Sequence, residues 1–275
     1  MRKEETPVSW YLEAIGLSPK SFIEKDETEN DEEDKIWKER IEAVLVEFPY
    51  YGSVRVTKEL QRRGYNVNKK RIARIAKETG LAQKRRKSFI KTTNSRHLFP
   101  TYPNLVKDIV INRPKQIFVG DITYVRLAKG FCYVAILLDV FTKKVVGWSV
   151  ELHMETSLVV DALKLALEGG APEYHHSDRG GQYCSYEYTN LLKENGVKIS
   201  MADTGVSVDN PYAESFNRTL KVEEVYLADY ETITDAKESL KKFIEEVYNK
   251  KRLHSSIGYK PPEEFEKEWW EKNGK

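Results

Sequence analysis

Residues 175–183 read HHSDRGGQY, and residues 209–221 read DNPYAESFNRTLK. Asp178 lies in the first segment and Glu214 in the second, with 35 residues between them. A third acid, Asp121, lies inside QIFVGDITYV, with 56 residues between it and Asp178. Carboxylates that meet in one cleft repel one another, and they become useful when they hold hard cations such as Mg²⁺, which take oxygen ligands. The spacing therefore raises the question of whether these three acids meet in space.

The composition is typical of a globular protein with a heavily charged surface. The chain has 275 residues, of which 40% are hydrophobic and 32% charged, and its formal net charge is +2. This length is sufficient for two domains. No apolar run approaches the ~20 residues that a membrane span needs, and the N-terminus lacks the apolar stretch of a signal peptide. We therefore expect a cytoplasmic protein without a membrane partner.

Several other potential ligands have a simpler structural interpretation. Cys132 and Cys184 belong to no CxxC pair, so a zinc site or a disulfide framework is not expected and both are interpreted as core residues. His175 and His176 lie on a short buried strand and are also interpreted as core residues. Asp139, near the end of another strand, is interpreted as the cap of the turn that follows it.

Residues 1–34 are interpreted as an N-terminal arm and an acidic linker. The segment Glu24–Asp34 carries eight acids in eleven residues. Such a run cannot bury itself, so we expect it to be solvated and flexible. Its charge would repel DNA, and we do not place it on a DNA-binding surface.

Residues 35–82 are predicted to form an all-α helix-turn-helix module. Before the turn PYYGS, apolar residues recur with helical spacing at Ile36, Ile41, Val44, Leu45 and Phe48. Gly64 is expected to end the second helix, and Asn68 is expected to cap the third. The third helix is basic, and its predicted DNA contacts are Lys69, Lys70, Arg71 and Arg74. A plain three-helix bundle with a solvated basic face is the alternative.

Residues 83–115 are interpreted as a basic connector. Within it, QKRRKSFIKTTNSRH has six lysines and arginines and no acid. An extended basic segment can follow a phosphate backbone, although a plain solvated linker would have the same composition. The predicted DNA contacts in this segment are Lys84, Arg85, Arg86 and Lys87. The remainder, with prolines at three positions, is predicted to be a loop.

From residue 116 the pattern is that of an α/β domain, predicted to span residues 116–265 and to be followed by a C-terminal tail, 266–275. Three alternating, β-branched segments predict a meander of strands. Short strands at EYHHS and VKISMA then alternate with helices. The predicted helices include TSLVVDALKLALE, SYEYTNLLKENG, one that begins near Pro211 and one over Thr234–Asn249. A meander followed by alternating helix and strand indicates a mixed five-stranded sheet with flanking helices.

The helix that begins near Pro211 would hold Glu214 rigidly. Asn210 can cap free backbone N–H groups, and proline at the first helical position loses no hydrogen bond. Lys221 follows Glu214 by seven residues, which is two turns along the same face. The predicted DNA contacts on this helix are Asn217, Arg218 and Lys221. For Glu214 taken alone, a first-turn acid favoured by the helix dipole is the alternative.

The order of these elements resembles the ribonuclease H-like fold. In that fold the first strand lies beside the fourth, so Asp121 and Asp178 would be neighbours. The helix that carries Glu214 crosses the same edge of the sheet.

The motifs, taken in order, resemble the OrfB catalytic subunit of the insertion-sequence three family of bacterial transposases, which are relatives of retroviral integrases. They cover about residues 40–265 and read PYYGSVRVTKELQRRGYNVNKKRIARIAKETGL, FVGDITYV, LLDVFTKKVVGW, HHSDRGGQY, DNPYAESFNRTLKVE and VYNKKRLHSSIGYKPPEEF. Phe118 departs from the tryptophan that relatives often have. The resemblance implies a DDE transposase whose catalytic and metal-binding residues are Asp121, Asp178 and Glu214. It also puts Lys221 at a position that contacts DNA.

The resemblance further implies 3′-end cleavage and strand transfer that depend on two Mg²⁺ ions, for which Mn²⁺ can substitute. The implied partners are double-stranded DNA, as transposon ends and target, and further copies of the chain in a homo-oligomer on DNA. In this family a frameshifted fusion adds an upstream OrfA subunit. The expected location is the bacterial cytoplasm, at the nucleoid when bound to DNA. Two alternatives stay open, a ribonuclease H-like nuclease that only hydrolyses and a non-catalytic DNA-binding regulator.

Overall fold

The computed structural model describes residues 19–82, 99–203 and 210–274, with the backbone alone for residues 19–31. The chain divides into two compact units, residues 1–86 and 87–275. None of the helices within the described ranges is both long and apolar enough to cross a membrane. The segment 83–98, which contains Lys84, Arg85, Arg86 and Lys87, lies outside the described residues.

In the described part of the first unit, residues 19–82, the helices are α1 (Pro19–Glu47), α2 (Ser53–Arg62) and α3 (Lys69–Glu78). Two predictions for the connection between α2 and α3, a glycine that ends α2 and an asparagine that caps α3, are confirmed. Gly64 has a φ of 89°, a left-handed conformation that suits glycine, and the Asn68 side chain accepts a hydrogen bond from the backbone N–H of Arg71 at 2.9 Å. The core that joins the helices is formed by Ile41, Val44, Phe48, Val56, Leu60, Ile72 and Ile75.

Two predictions about α1 were wrong. Residues 24–34 were expected to be a flexible linker. They are helical instead and belong to α1, which begins at Pro19. Asp34, the last acid of this segment, is stabilised by a tertiary contact, because it accepts hydrogen bonds from the guanidinium groups of Arg71 and Arg74. Ile36, expected on the apolar face, is 47% exposed, whereas the adjacent Trp37 is only 9% exposed. The large aromatic side chain therefore takes the buried position.

The second unit is built on the predicted five-stranded sheet. Its strands are β1 (Ile117–Arg126), β2 (Phe131–Asp139), β3 (Val145–Glu151), β4 (Tyr174–Ser177) and β5 (Lys198–Met201). Their spatial order is β3-β2-β1-β4-β5. The meander pairs are antiparallel, whereas β4 is parallel to both β1 and β5. The fourth strand therefore lies beside the first, as the ribonuclease H-like order predicts.

Helices cover both faces of the sheet. They are α4 (Thr156–Glu168), α5 (Gly181–Cys184), α6 (Tyr186–Glu194), α7 (Pro211–Leu220), α8 (Ile233–Lys242) and α9 (Pro262–Asn273), and π-helical turns extend α7 (Lys221–Val225) and α8 (Phe243–Tyr248). One core contains Phe118, Leu137 and residues of α4 and α6. The other contains Val119, Ile136 and residues of α7 and α8. Because successive side chains of β1 point to opposite faces of the sheet, this strand contributes residues to both cores. Asp121, two residues after Val119, lies on the same face as Val119, the face that α7 covers.

The C-terminal segment also differs from its prediction. Residues 266–275 were expected to form a tail, but residues up to Asn273 belong to α9. This helix packs on the strand connection, where the rings of Phe265 and Trp269 lie 5.4 and 6.0 Å from the ring of Phe141. Glu266 of the same helix accepts a hydrogen bond from Lys144 at 2.9 Å. The stabilising partners lie far away in the chain, so local sequence did not indicate them.

Asp139 has the structural role that its position predicts. Its Oδ1 accepts hydrogen bonds from the backbone N–H groups of Phe141 and Thr142, at 2.8 and 3.2 Å. Its Oδ2 accepts a third from the N–H of Lys115 at 2.7 Å. With three backbone donors around it, this carboxylate caps the turn after β2.

Candidate active site

Asp121 and Asp178 meet because of the register between β1 and β4. The last parallel pair joins Val119 to His176. Continuing this register by two residues places Asp178, which directly follows β4, beside Asp121. The negative charge of Asp178 contributes to the raised pKa of Asp121. Two of the three predicted acids therefore share one sheet edge.

A glycine turn holds Asp178 in place. The backbone N–H of Gly180 donates to Asp178 Oδ1 at 2.9 Å. A Cβ atom at residue 180 would lie 2.9 Å from that same oxygen, closer than such contacts allow. A side chain at residue 180 would therefore require the Asp178 carboxylate to shift from its hydrogen bond with the backbone N–H of that residue.

The start of α7 is tied to β1 beside Asp121. Asn210 uses both ends of its side-chain amide: Oδ1 accepts from the N–H of Ala213 at 3.4 Å, and Nδ2 donates to the carbonyl of Gly120 at 2.9 Å. The first contact caps the helix, as predicted from sequence. The second, which no local pattern indicates, joins the first turn of α7 to the residue that precedes Asp121. Glu214, in that first turn, is exposed.

Burial sets the protonation of Asp121. It raises the pKa of this carboxyl from 3.8 to about 7, with a further rise from the charge of Asp178 and the smallest from Glu214. Two hydrogen bonds oppose the rise: Ile122 N–H donates to Oδ1 at 2.9 Å, and Asn217 Nδ2 donates to Oδ2 at 2.8 Å. Without a cation, the carboxyl is therefore held near half-protonation at neutral pH.

Asn217 has a different position from the one predicted. It was expected to contact DNA, but it is only 9% exposed and its amide nitrogen is engaged with Asp121. Its Oδ1 is a buried acceptor for which no hydrogen-bond partner is present in the part of the chain that the structure describes. Helical spacing places Asn217 one turn after Glu214, but it cannot show that the side chain turns toward the sheet.

The donor set suits a hard cation, although it is not a closed metal site. Within residues 19–82, 99–203 and 210–274, no three histidine, cysteine, aspartate or glutamate side chains form a ligand group. Asp121 and Asp178 provide adjacent carboxylate oxygens, and the unpartnered Oδ1 of Asn217 is a further oxygen beside them. Oxygen donors of this kind fit Mg²⁺ rather than zinc.

The two histidines beside Asp178 are core residues, as predicted. The ring of His175 is hydrogen-bonded to Tyr188 Oη at 2.8 Å, and that of His176 to Ser200 Oγ at 2.9 Å. Both side chains are buried. Burial lowers the pKa of His175 to about 3, with a smaller contribution from His176, so this ring is neutral.

We predict that Asp121 makes the metal-free protein less stable as pH rises. Its pKa is about 7 in the folded chain and 3.8 ordinarily, so between these values the folded state binds more protons than the unfolded state. The free energy of unfolding should fall by up to a few kcal/mol across that window and then level off. Urea unfolding in EDTA at pH 5 and pH 8 tests this. Asp121→Asn should show a weaker pH dependence than wild type, and equal dependence in both proteins would contradict the prediction.

Comparisons with known proteins agree with this geometry. Residues 111–207 and 195–262 match family models described as integrase core domain, and residues 31–89 match an HTH-like domain. The transposase for insertion sequence element IS904 of Lactococcus lactis is 37% identical over 240 residues, which are 86% of this chain and 95% of that protein. Transposase InsF for insertion sequence IS3A of Escherichia coli is 36% identical over 220 residues, 78% of this chain and 76% of that protein.

The chain belongs to the IS3 family of transposases. It is a DNA transposase with an integrase-type catalytic core of the DDE class, preceded by a helix-turn-helix module. Similar solved structures include the HTLV-2 integrase catalytic core domain in complex with magnesium, at 17% identity and a TM-score of 0.44 over 56% of this chain and 97% of that one. Another is the BIV integrase catalytic core domain, at 20% identity and a TM-score of 0.44, over 58% of this chain and 99% of that one.

In the helix-turn-helix module of the transposase, the four predicted basic contacts fall into two classes. Lys69 and Lys70 are exposed, and within the described residues neither forms an ion pair. Arg71 is paired with Glu33 at 2.7 Å and Asp34 at 3.1 Å. Arg74 is paired with Asp34 at 2.7 Å and with Glu78 at 3.0 Å. The two arginines are therefore bound by carboxylates of the same unit.

The π-helical turn that begins at Lys221 is anchored by two acids that the sequence analysis did not identify. Glu223 accepts two hydrogen bonds of 2.6 Å from the guanidinium of Arg252. Glu224 accepts from the hydroxyl groups of Tyr230 and Ser239, at 3.0 and 2.5 Å. Arg252 lies in the quoted motif VYNKKRLHSSIGYKPPEEF, but a motif does not reveal its partner.

Proposed function

We propose that this transposase cleaves the 3′ ends of its insertion sequence and joins them to new DNA at Asp121, Asp178 and Glu214, using two divalent cations. The proposed ion is Mg²⁺, with Mn²⁺ able to substitute. The observation that carries the proposal is the β1–β4 register, which sets Asp121 beside Asp178, together with the Asn210 bridge that ties the first turn of α7 to Gly120.

When bound, two such ions activate the attacking oxygen and stabilise the leaving 3′-oxygen of an in-line displacement. In this chain Asp121, Asp178 and Glu214 would supply the oxygen ligands. Asn217 holds Asp121 by its Oδ2, which leaves the remaining carboxylate lone pairs for a cation. The nucleophile is water in cleavage and a DNA 3′-OH in joining, so the reaction needs no covalent bond between protein and DNA.

The proposed DNA contacts follow from exposure and charge. Lys69 and Lys70 lie at the start of α3, the part of a recognition helix that meets base edges, and both are exposed. Arg218 is exposed on α7, one residue after Asn217. Arg71 and Arg74 would have to leave Glu33 and Asp34 before they could bind phosphates, so we assign them a smaller share of the binding energy.

Further partners are proposed from the family. Pairing two transposon ends on a target requires at least two active sites, so we propose a homo-oligomer on double-stranded DNA. A frameshifted fusion with an upstream OrfA subunit and a location at the bacterial nucleoid belong to the same proposal.

Strand joining distinguishes this function from a nuclease that only hydrolyses and from a regulator that only binds. Pre-cut transposon ends, labelled at the 5′ end of the strand that is transferred, are incubated with a supercoiled plasmid and Mg²⁺. We expect labelled plasmid, and none with EDTA or with Asp178→Asn. Shortened ends without labelled plasmid would indicate a nuclease, and unchanged DNA under all metal conditions would indicate a regulator.

A further inference from the structure

Lys221 carries a positive charge near Asp121. It is the first residue of the π-helical turn after α7. Within the described part of the chain, no carboxylate lies within ion-pair distance of its ammonium group. Partial burial lowers the pKa of Lys221, and the negative charge of Asp121 opposes this change. The lysine therefore lies close enough to Asp121 to interact with its charge, although none of the carboxylates in the described ranges forms an ion pair with it.

The group that does contact Lys221 is an aromatic ring. Its Nζ lies 4.3 Å from the centre of the Tyr124 ring, which is within the range of a cation–π interaction. Tyr124 follows Asp121 by three residues on β1 and is 37% exposed. The ring of Phe131, on β2, meets it edge-on at 5.6 Å with an interplanar angle of 87°. An edge-to-face aromatic contact of this kind restricts the orientation of Tyr124.

The position of Tyr124 follows from the sheet. Strand β4 ends at Ser177, and its last pair with β1 is Val119–His176. Within the described residues, the stretch of β1 from Ile122 to Arg126 pairs with β2 alone. The other side of this stretch, beyond Asp121, is therefore an open sheet edge, where the Lys221 side chain reaches Tyr124.

A cation–π contact and an ion pair differ in what they leave available. In an ion pair such as Arg252–Glu223, a carboxylate takes up both the charge and the hydrogen-bond donors of the cation. An aromatic ring attracts the ammonium through its quadrupole but carries no net charge, so the donors remain free for a phosphate. Tyr124 can therefore orient the lysine while leaving its charge available to DNA.

We propose that Tyr124 is a positioning residue, whose ring holds the Lys221 ammonium near Asp121 so that it contacts a single backbone phosphate of the DNA end. This inference deepens the proposed function and rests on it.

The test compares Lys221→Gln, Tyr124→Leu and Tyr124→Phe in the full chain. Binding to a transposon-end duplex is measured with all phosphates intact, and then with one phosphate at a time replaced by a neutral methylphosphonate. We expect Lys221→Gln to weaken binding to the intact duplex by about tenfold and to have no effect when one particular phosphate is neutral. Tyr124→Leu should weaken binding by a smaller factor and lose its effect at the same phosphate. Tyr124→Phe, which keeps the aromatic face, should behave as wild type.

A structural role for Tyr124 would give a different pattern. The inference is wrong if the Tyr124→Leu substitution weakens DNA binding by the same factor whichever phosphate is neutral. It is equally wrong if the Tyr124→Leu variant binds DNA as wild type does while the Lys221→Gln variant binds more weakly. In both cases the proposed function stands. It is also wrong if Lys221→Gln binds every duplex as wild type does. If Tyr124→Leu does not fold, Tyr124→Val, a residue suited to a strand, replaces it with the same expectations. Failure of the proposed function is seen separately, as strand joining by Asp178→Asn.

Discussion

Asp121→Asn, Asp178→Asn and Glu214→Gln should each reduce DNA cleavage and strand joining by at least about a thousandfold, which corresponds to about 4 kcal/mol of activation free energy. Each change keeps the shape of the side chain and removes its negative charge. Asp121 and Asp178 are adjacent through the β1–β4 register, and Glu214 influences the pKa of Asp121. Loss of any one carboxylate should therefore weaken cation binding by all three acids. A single substitution should reduce activity nearly as much as two or three substitutions combined.

Binding of transposon-end DNA should persist in all three variants. It should even increase slightly, because each change removes a negative charge that faces the phosphates. The measurement is single-turnover cleavage and joining of a labelled end in Mg²⁺, alongside an equilibrium binding assay. Asp229→Asn, which changes an exposed acid of the same unit, is the matched control and should retain activity. Full activity in any of the three variants would contradict the assignment of that residue as a metal ligand.

The second large effect is expected in stability, from Arg252→Ala. Arg252 is 4% exposed, and the Glu223 side chain that it contacts is 14% exposed. Both hydrogen bonds of the pair are 2.6 Å long, in the two-pronged geometry that suits arginine and carboxylate. Removing one partner leaves the other charge buried and uncompensated, so we expect a loss of about 3–5 kcal/mol in the free energy of unfolding.

Urea unfolding of wild type and variant measures this loss. Lys237→Ala is the matched control, because it breaks an ion pair with Glu151 at 3.1 Å whose side chains are 43% and 42% exposed. That change should cost no more than about 1 kcal/mol. The double variant Glu223→Leu with Arg252→Met should recover part of the loss, since two apolar residues leave no buried charge. A loss in Arg252→Ala as small as in the control would mean that the pair is not effectively buried.

Arg252→Ala should also impair the reaction. The π-helical turn that begins at Lys221 contains Glu223, which Arg252 binds. Without this contact, the turn would no longer hold Lys221 against Tyr124. Activity of the variant is therefore best measured well below its unfolding midpoint, where the folded fraction matches that of wild type.

Much of the active site could be predicted from local patterns. The alternation in QIFVGDITYV predicted β1, and the pair Asn210–Pro211 predicted the start of α7, because strand periodicity and helix caps depend on a few neighbouring residues. The capping role of Asp139 and the turn at Gly64 were predictable for the same reason. Each of these features is confirmed by the structure.

The incorrect predictions concern side chains whose partners are distant in sequence. Asp34 is 37 residues from Arg71, which it pairs with, so residues 24–34 looked like a solvated acidic linker when taken alone. Asn217 is 96 residues from Asp121, and helix spacing alone put it on the DNA-facing stripe. The aromatic residues of α9 pack on Phe141, which lies more than a hundred positions upstream.

The sequence by itself determined the order of the five strands, the positions of Asp121, Asp178 and Glu214 relative to them and to α7, and the family to which the transposase belongs. Only the tertiary structure decided how these residues interact. The parallel pairing of β4 with β1 brings the two aspartates together, the Asn210 amide bridges 90 residues to tie α7 to the strand, and burial raises the pKa of Asp121. The physical reason is that periodicity and capping act over a few residues, whereas register, burial and charge pairing depend on the packing of the whole unit.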